Sequence, residues 1–561
     1  MAATPNDSAN VLKVKDLLDF AGVPQEMKLW PPDVFAVVGL ILLKSGAYTR
    51  VMEAWPPNEY LEGTASTWGR TQEDIGKRWR LHMNERGKMP SEVTTQWAAI
   101  WESADTPIAA VRDDEKLTLS LLGLCAAADE ACNGLGILFK WVSEKDEVVG
   151  PPASEVDDSK RKADDLHSKA TKKLVGPAAT LCLNVDPSRL RVLPKLRTPQ
   201  TGLTFRSMTH HLSLCPAGDM TPKWLRMTSG PGENRMNVLV VPWPKTIAPS
   251  QFRKADNRIG GMSPEFGFFG YEPAEKMEVN QEDLKSVYLN AKEMVGHIDL
   301  VVFPELSLSA EQHNTVIELL TGLGTTVIAG VAGQDAQKRP VNYLTLDGPD
   351  VVFERMSLLK QHKHHRWRLT RGQIVQYGLG GILEPGVSWW EDIPIGAREV
   401  TFVTVNEWLT MCVLLCEDLA RQDPIAEIVR AVGPNLVIAL LMDGPQLKER
   451  WPARYATVLA DDPGSSVLTL TSLGMTELCR PPGRKKSRSV GLWKDAATSE
   501  PYELEVPTDA DALVLSVVVE SCKEWSADGR QDLQPMGYPV LAGVHPVAVD
   551  RRTRKPWHSP A

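Results

Sequence analysis

Cysteine is sparse and unpatterned in this chain: eight in 561 residues, at positions 125, 132, 182, 215, 412, 416, 479 and 522, with no CxxC pair and no framework spacing. That excludes a disulfide scaffold and leads us to expect reduced thiols and a cytoplasmic protein. Charge of one sign is also missing. A net charge of −9 over this length gives no overall affinity for nucleic acid or membrane, so any anion binding must be local. There is no membrane-length apolar run either. Residues 35–43 are too few to span a bilayer and stop at Lys44, and residues 117–139 carry Asp129, Glu130 and Asn133 and read as a buried helix. The opening MAATPNDSAN has no basic region followed by an apolar one, so no secretory signal is read there. His210 and His211 stand near Cys215 without a second ligand pair, and no metal site is expected.

What is present is the composition of a globular protein, 43% apolar and 24% charged. At roughly 150 residues per domain the length suggests two to four domains. Residues 1–142 read as an α-helical domain: Leu12, Val14, Leu17 and Leu18 recur at near-helical spacing, and Trp30, Trp55, Trp68, Trp79, Trp97 and Trp101 read as packing between helices. Residues 143–235 begin with mixed charge around Gly-Pro-Pro and continue as a Pro-punctuated connecting segment. From Asn237 strands and helices alternate, which predicts an α/β domain over 236–522, followed by a tail over 523–561 without periodicity.

Three strands in the α/β half end on polar residues. MCVLLCEDLA is an apolar run that stops at Cys416-Glu417-Asp418; a thiol there sits at the rim of a sheet, where an open α/β architecture leaves a crevice, and is expected to be exposed. HIDLVVFPE ends on Glu305. Ser309 and Gln312 form a capping box for the next helix, so the cap does not account for Glu305, and a carboxylate partly desolvated at a strand lip suits general base work. VNYLTL and VVFERMSLL read as a hairpin around Asp347-Gly348-Pro349-Asp350 that runs into Lys360.

With FPEL at Glu305, LLKQH at Lys360 and LLCEDL at Cys416 in this order and in these strand contexts, residues 237–520 resemble the nitrilase, or carbon–nitrogen hydrolase, superfamily. The resemblance implies an α-β-β-α sandwich behind the helical domain. It also implies that Glu305 is the base, Lys360 holds the tetrahedral intermediate, and Cys416 attacks an amide or nitrile carbon without any cofactor. Many members carry a second Glu soon after the Lys. Here HKHHRWRLTRGQIVQYGLGG has no acid before Glu384, so Gln373, Gln376 or Glu384 takes that place.

Other features bear on the substrate. Residues 250–275 extend a connection with Phe268, Phe269 and Tyr271, read either as a lid or as packed decoration. Glu417 is a further candidate for substrate contact. The basic run over 360–371, with Lys363, Arg366, Arg368 and Arg371, favours an anionic small amide or nitrile. The resemblance also implies a homo-oligomer. Glutaminase-linked NAD synthetases share the Cys-Glu-Asp likeness, but no SGGxDS loop is present. A second reading is a nitrilase-like scaffold or ligand sensor of the kind found beside bacterial reverse transcriptases in antiviral defence. No Tyr-x-Asp-Asp motif is present, so nucleic acid would be met through a partner chain.

Overall fold

The computed structural model describes residues 11–53, 67–137, 165–199, 202–227, 234–255, 263–274, 281–348, 351–352, 359–406, 408–480, 486–531 and 536–549. The chain divides into two compact units: Met1–Gly218 with Arg430–Gly433 and Cys522–Met536, and Asp219–Val429 with Pro434–Ser521 and Gly537–Ala561.

The first unit is mainly helical. Pro31–Ser45 is apolar on almost every face and buried along most of its length, as befits a central helix, and it packs against Glu115–Ala131. Three buried tryptophan rings have their N–H groups satisfied: Trp30 donates to Leu181 O at 3.0 Å, Trp79 to Leu29 O at 3.1 Å and Trp97 to Gln25 O at 3.0 Å. The end of Glu115–Ala131 is a buried polar hub. Asp129 accepts the backbone N–H groups of His210, His211 and Leu212 at 2.8–2.9 Å. Arg530 reaches Asp129 at 3.1 Å, Glu130 at 2.5 Å and Asp528 at 2.9 Å. The His210 ring is spent here as well, with Nε2 3.0 Å from Arg530 O.

The second unit is a four-layer α-β-β-α sandwich. One eight-stranded sheet runs in the order Leu359–His362, Pro340–Asp347, Thr326–Gln334, Leu300–Val302, Arg235–Val240, Ala512–Cys522, Met536–Val547, with Leu308–Ser309 paired to Thr326–Gln334. The other runs Val351–Val352, Met220–Met227, Arg398–Thr404, Thr410–Leu415, Leu436–Leu440, Ser466–Leu470, Ser489–Lys494, Tyr502–Glu505. Alternation along each strand sends one set of apolar side chains inward. Val238, Val240, Val302 and Ile328 meet Val413, Leu415, Ile438 and Leu470 in a single core. The reverse side of the first sheet, with Leu239, Val301 and Val327, receives Leu284, Val287 and Tyr288 of Gln281–Val295 and Val316 and Leu320 of Ala310–Thr321. Trp451–Asp461 covers Ser466–Leu470 and Ser489–Lys494 on the second sheet. A smaller sheet, Arg368–Leu369, Ser388–Glu391, Phe266–Tyr271 and Phe252–Lys254, completes the unit. Among the described residues, no helix is long and apolar enough to cross a membrane.

Two sequence expectations need correction. The hairpin after VNYLTL does not form as one piece: Pro340–Asp347 pairs with Leu359–His362, whereas Val351 and Val352 pair with Met227 and Arg226 of the opposite sheet. The strand Met220–Met227, ahead of the expected boundary at 236, belongs to the sandwich, where it runs parallel to Arg398–Thr404.

The Glu305 loop lies against the sheet at Gly330. A Cβ there would stand 2.4 Å from Glu305 Cα and 2.4 Å from Pro304 O. Gly330→Ala must push the loop away, and overpacking of this kind costs about 1–3 kcal/mol. A lower midpoint in thermal unfolding is expected. Gly386→Ala, which meets nothing within 4 Å, should leave the midpoint unchanged.

Candidate active site

Strand ends bring four chemical groups together. Glu305 follows Leu300–Val302, Lys363 is the first residue past Leu359–His362, Glu391 closes Ser388–Glu391, and Cys416 follows Thr410–Leu415. Lys363 Nζ lies 2.8 Å from Glu305 Oε1 and 2.6 Å from Glu391 Oε2. Asn342, within Pro340–Asp347, donates Nδ2–H to Glu305 Oε1 at 2.7 Å and to Glu391 Oε1 at 2.9 Å. The Trp367 N–H supplies Glu391 Oε2 at 3.0 Å. All of these side chains are buried.

Burial raises the proton affinity of Glu305, and Glu391 adds to this while Lys363 opposes it; the net direction is upward. Burial works against the charge on Lys363, but Glu305 and Glu391 outweigh it and hold the ammonium well above its usual range. Glu305 Oε2 has no hydrogen-bond partner among the described residues.

Cys416 sits on a strained turn. Its φ of 44° and ψ of −104° put a non-glycine residue in a sparsely populated region, a feature that clusters at functional sites. Its N–H bonds Leu440 O at 2.9 Å, which ties the turn to the neighbouring strand. The thiol is only 2% exposed, which corrects the expectation of an open rim. The loops after Val302 and Leu440 close over the strand end, so that the Glu305 charge, the Lys363 charge and the Met442 N–H all act on the sulfur. Burial, then Glu305, pushes the thiol well above its ordinary range, while Lys363 and the Met442 N–H pull the other way. Cys412 is packed within the strand, as expected.

Lys360 stands apart from this cluster, a correction to the sequence reading. Strand parity decides it: Leu359 and Gln361 face inward, so Lys360 and His362 face out, and Lys360 lies exposed over the Tyr343 ring at 5.0 Å. Lys363 takes the position by the two carboxylates. The turn after it is fixed by the fully buried Asp418 of the CED run, which accepts the His364 N–H at 3.2 Å and pairs with His365 Nδ1 at 2.8 Å. The second carboxylate beside Lys363 is Glu391, whereas Gln376 and Glu384 of the 373–384 stretch bond elsewhere. SWWE is an aromatic run stopped by an acid, the same signal that singled out Glu305.

The remaining candidates are dispersed. Glu417 pairs with Arg421 at 2.6 Å. Gln376 donates to Cys479 Sγ at 2.7 Å, and Glu384 bonds Lys254 at 2.6 Å. Arg366 lies 5.1 Å from the Phe268 ring and donates to Ile393 O at 2.8 Å, and Arg368 lies over Trp390. Tyr271 does line a cavity of about 40 Å³, with Phe269, Leu306, Asn342, Trp367, Glu391, Asp392, Ile393 and Met442 in its wall. Of the basic residues over 360–371 none stands in that wall, but Lys363 pairs with Glu391, which does.

No family model matches the chain and no curated protein matches its sequence. Among solved structures, it is similar to an amidase from Nesterenkonia sp. (11% identity, 51% of this chain and 91% of that chain, TM-score 0.30). It is also similar to Saccharomyces cerevisiae Nit3, a member of branch 10 of the nitrilase superfamily (12%, 48% and 86%, TM-score 0.29). A third is the glutamine-dependent NAD+ synthetase from Acinetobacter baumannii (10%, 50% and 45%, TM-score 0.31). Likeness this distant leaves the chemistry of the chain to its own side chains.

The two lysines should behave oppositely on substitution. Lys363→Met strands two buried carboxylates, and breaking a buried ion pair costs about 3–5 kcal/mol. Lys360→Met, at an exposed position, should change stability by less than about 1 kcal/mol. Denaturant unfolding of both variants checks this, and equal losses would refute the reassignment.

Proposed function

We propose that the protein is a thiol-dependent hydrolase of a non-peptide carbon–nitrogen bond in a small amide or nitrile. The observation that carries this reading is the buried Glu305–Lys363–Glu391 cluster acting on the strained Cys416. In the amide reaction, Glu305 takes the thiol proton as sulfur bonds to the carbonyl carbon. The electron pair moves to oxygen, which the Lys363 ammonium and the Met442 N–H are suited to hold. Collapse breaks the C–N bond, Glu305 returns its proton to the departing amine, and a thioester remains. Water then adds with Glu305 as base, releasing the carboxylic acid and the free thiol. Glu391 keeps Lys363 charged and in place.

The cavity supports a small head group. One water needs roughly 10–15 Å³ of such space, so about 40 Å³ admits a few heavy atoms.

Two variants test the roles, with iodoacetamide as probe and the other cysteines as internal controls in peptide mapping. Cys416→Ala should abolish turnover of any amide found to be a substrate; surviving turnover would end the assignment. Glu305→Gln has opposed effects that can be told apart. Loss of the Glu305 charge alone lowers the thiol pKa and would speed alkylation of Cys416 at neutral pH. Loss of the base slows it. Slower alkylation is expected, and a faster rate would leave Glu305 with an electrostatic influence only.

A further inference from the structure

Asn342 is buried to 2% exposure, and its orientation is fixed by chemistry. Two carboxylate oxygens lie 2.7 and 2.9 Å from one end of its amide; carboxylates only accept, so that end is the NH₂ group and the other is the carbonyl oxygen. Among the described residues, Asn342 Oδ1 has no hydrogen-bond partner, like the neighbouring Glu305 Oε2. Asn342 also forms part of the cavity wall. A buried acceptor left unsatisfied disfavours the empty site, and a ligand able to donate to it removes that cost.

We propose that Asn342 is a specificity-determining residue that selects a carboxamide over a nitrile, its Oδ1 accepting an N–H of the substrate amide. This rests on the hydrolase reading above. A carboxamide brings two N–H donors for Asn342 Oδ1 and Glu305 Oε2 and a carbonyl oxygen for Lys363 and the Met442 N–H. A nitrile brings an acceptor alone, so both buried oxygens stay unpaired. Sites built around a buried polar partner reject analogues lacking the matching group far more strongly than they reject a change of size.

Iodoacetamide and iodoacetonitrile form a matched pair for the test. In each, the Cys416 sulfur bonds to the methylene carbon as iodide leaves, and the proton passes to Glu305 or solvent; only the head group differs. The ratio of second-order rates, amide over nitrile, is measured at Cys416 by peptide mapping and compared with the ratio for glutathione. The wild-type ratio should exceed that of glutathione by at least ~10-fold, as expected for one buried hydrogen bond to a polar partner. Asn342→Ser, which keeps a donor for one carboxylate and loses the amide oxygen, should fall toward the glutathione ratio.

A wild-type ratio within about twofold of glutathione overturns the proposal, as does a raised ratio that a folded Asn342→Ser protein retains. Should that variant not fold, the wild-type comparison still decides. A Cys416 that reacts with neither probe sinks the hydrolase reading itself, and with it this inference. Alkylation without discrimination sinks the inference alone.

Discussion

Three charges buried together, Glu305, Lys363 and Glu391, form the constraint on which the sandwich unit turns. None would tolerate burial alone, since removing an ion from water costs several kcal/mol before any partner is found. Each is brought by a different strand end: Glu305 and Lys363 by one large sheet, Glu391 by the small sheet. Asn342, on one of the two strands between the first two, donates to both carboxylates. Cys416 and the Met442 N–H come from the opposite large sheet. The ion cluster therefore forms only when two sheets are in register, and a third brings Cys416 to it. The packed core between the large sheets sets the spacing on which the chemistry depends.

Much of this was legible because buried strands leave strong local signals. The apolar runs before Glu305 and Cys416 placed both groups at strand ends, and the helix Gln281–Val295 buries Leu284, Val287, Tyr288 and Ala291, the face its periodicity predicts. The lysine was misplaced because the chain offers two, Lys360 and Lys363, three positions apart, and only the parity of a four-residue strand tells them apart. Glu391 was missed for a different reason. It joins Lys363 from 28 residues away through a sheet whose parallel pairing, Ser388–Glu391 with Phe266–Tyr271, has no local signature.

The helical unit shows the same limit more sharply. Arg530 lies in what composition alone reads as an aperiodic tail, yet it fills the hub at Asp129 and Glu130 across about four hundred residues of chain. Contacts of that separation leave no pattern in a sequence window. A buried Arg also requires its acids, so Asp129 and Glu130, which broke the apolar run at 117–139, mark where a distant cation was needed rather than where a helix should stop.

The electrostatics of the candidate site also limit how its thiol can react. Many reactive cysteines hold a standing thiolate, stabilised by a nearby cation or a helix N-terminus. Cys416 is placed differently. Its cation, Lys363, is already paired to two carboxylates, and both burial and Glu305 disfavour a second negative charge on sulfur. A thiol so placed reacts only if its proton leaves as the new bond forms. The acceptor must be basic and have an oxygen to spare; under the proposed function that acceptor is Glu305, whose proton affinity is raised and whose Oε2 has no partner among the described residues. The burial that holds the thiol neutral thus ties its reactivity to a proton acceptor beside it. An enzyme arranged in this way would spare its thiol from adventitious oxidation and spend it on substrates that complete the hydrogen bonds of the site.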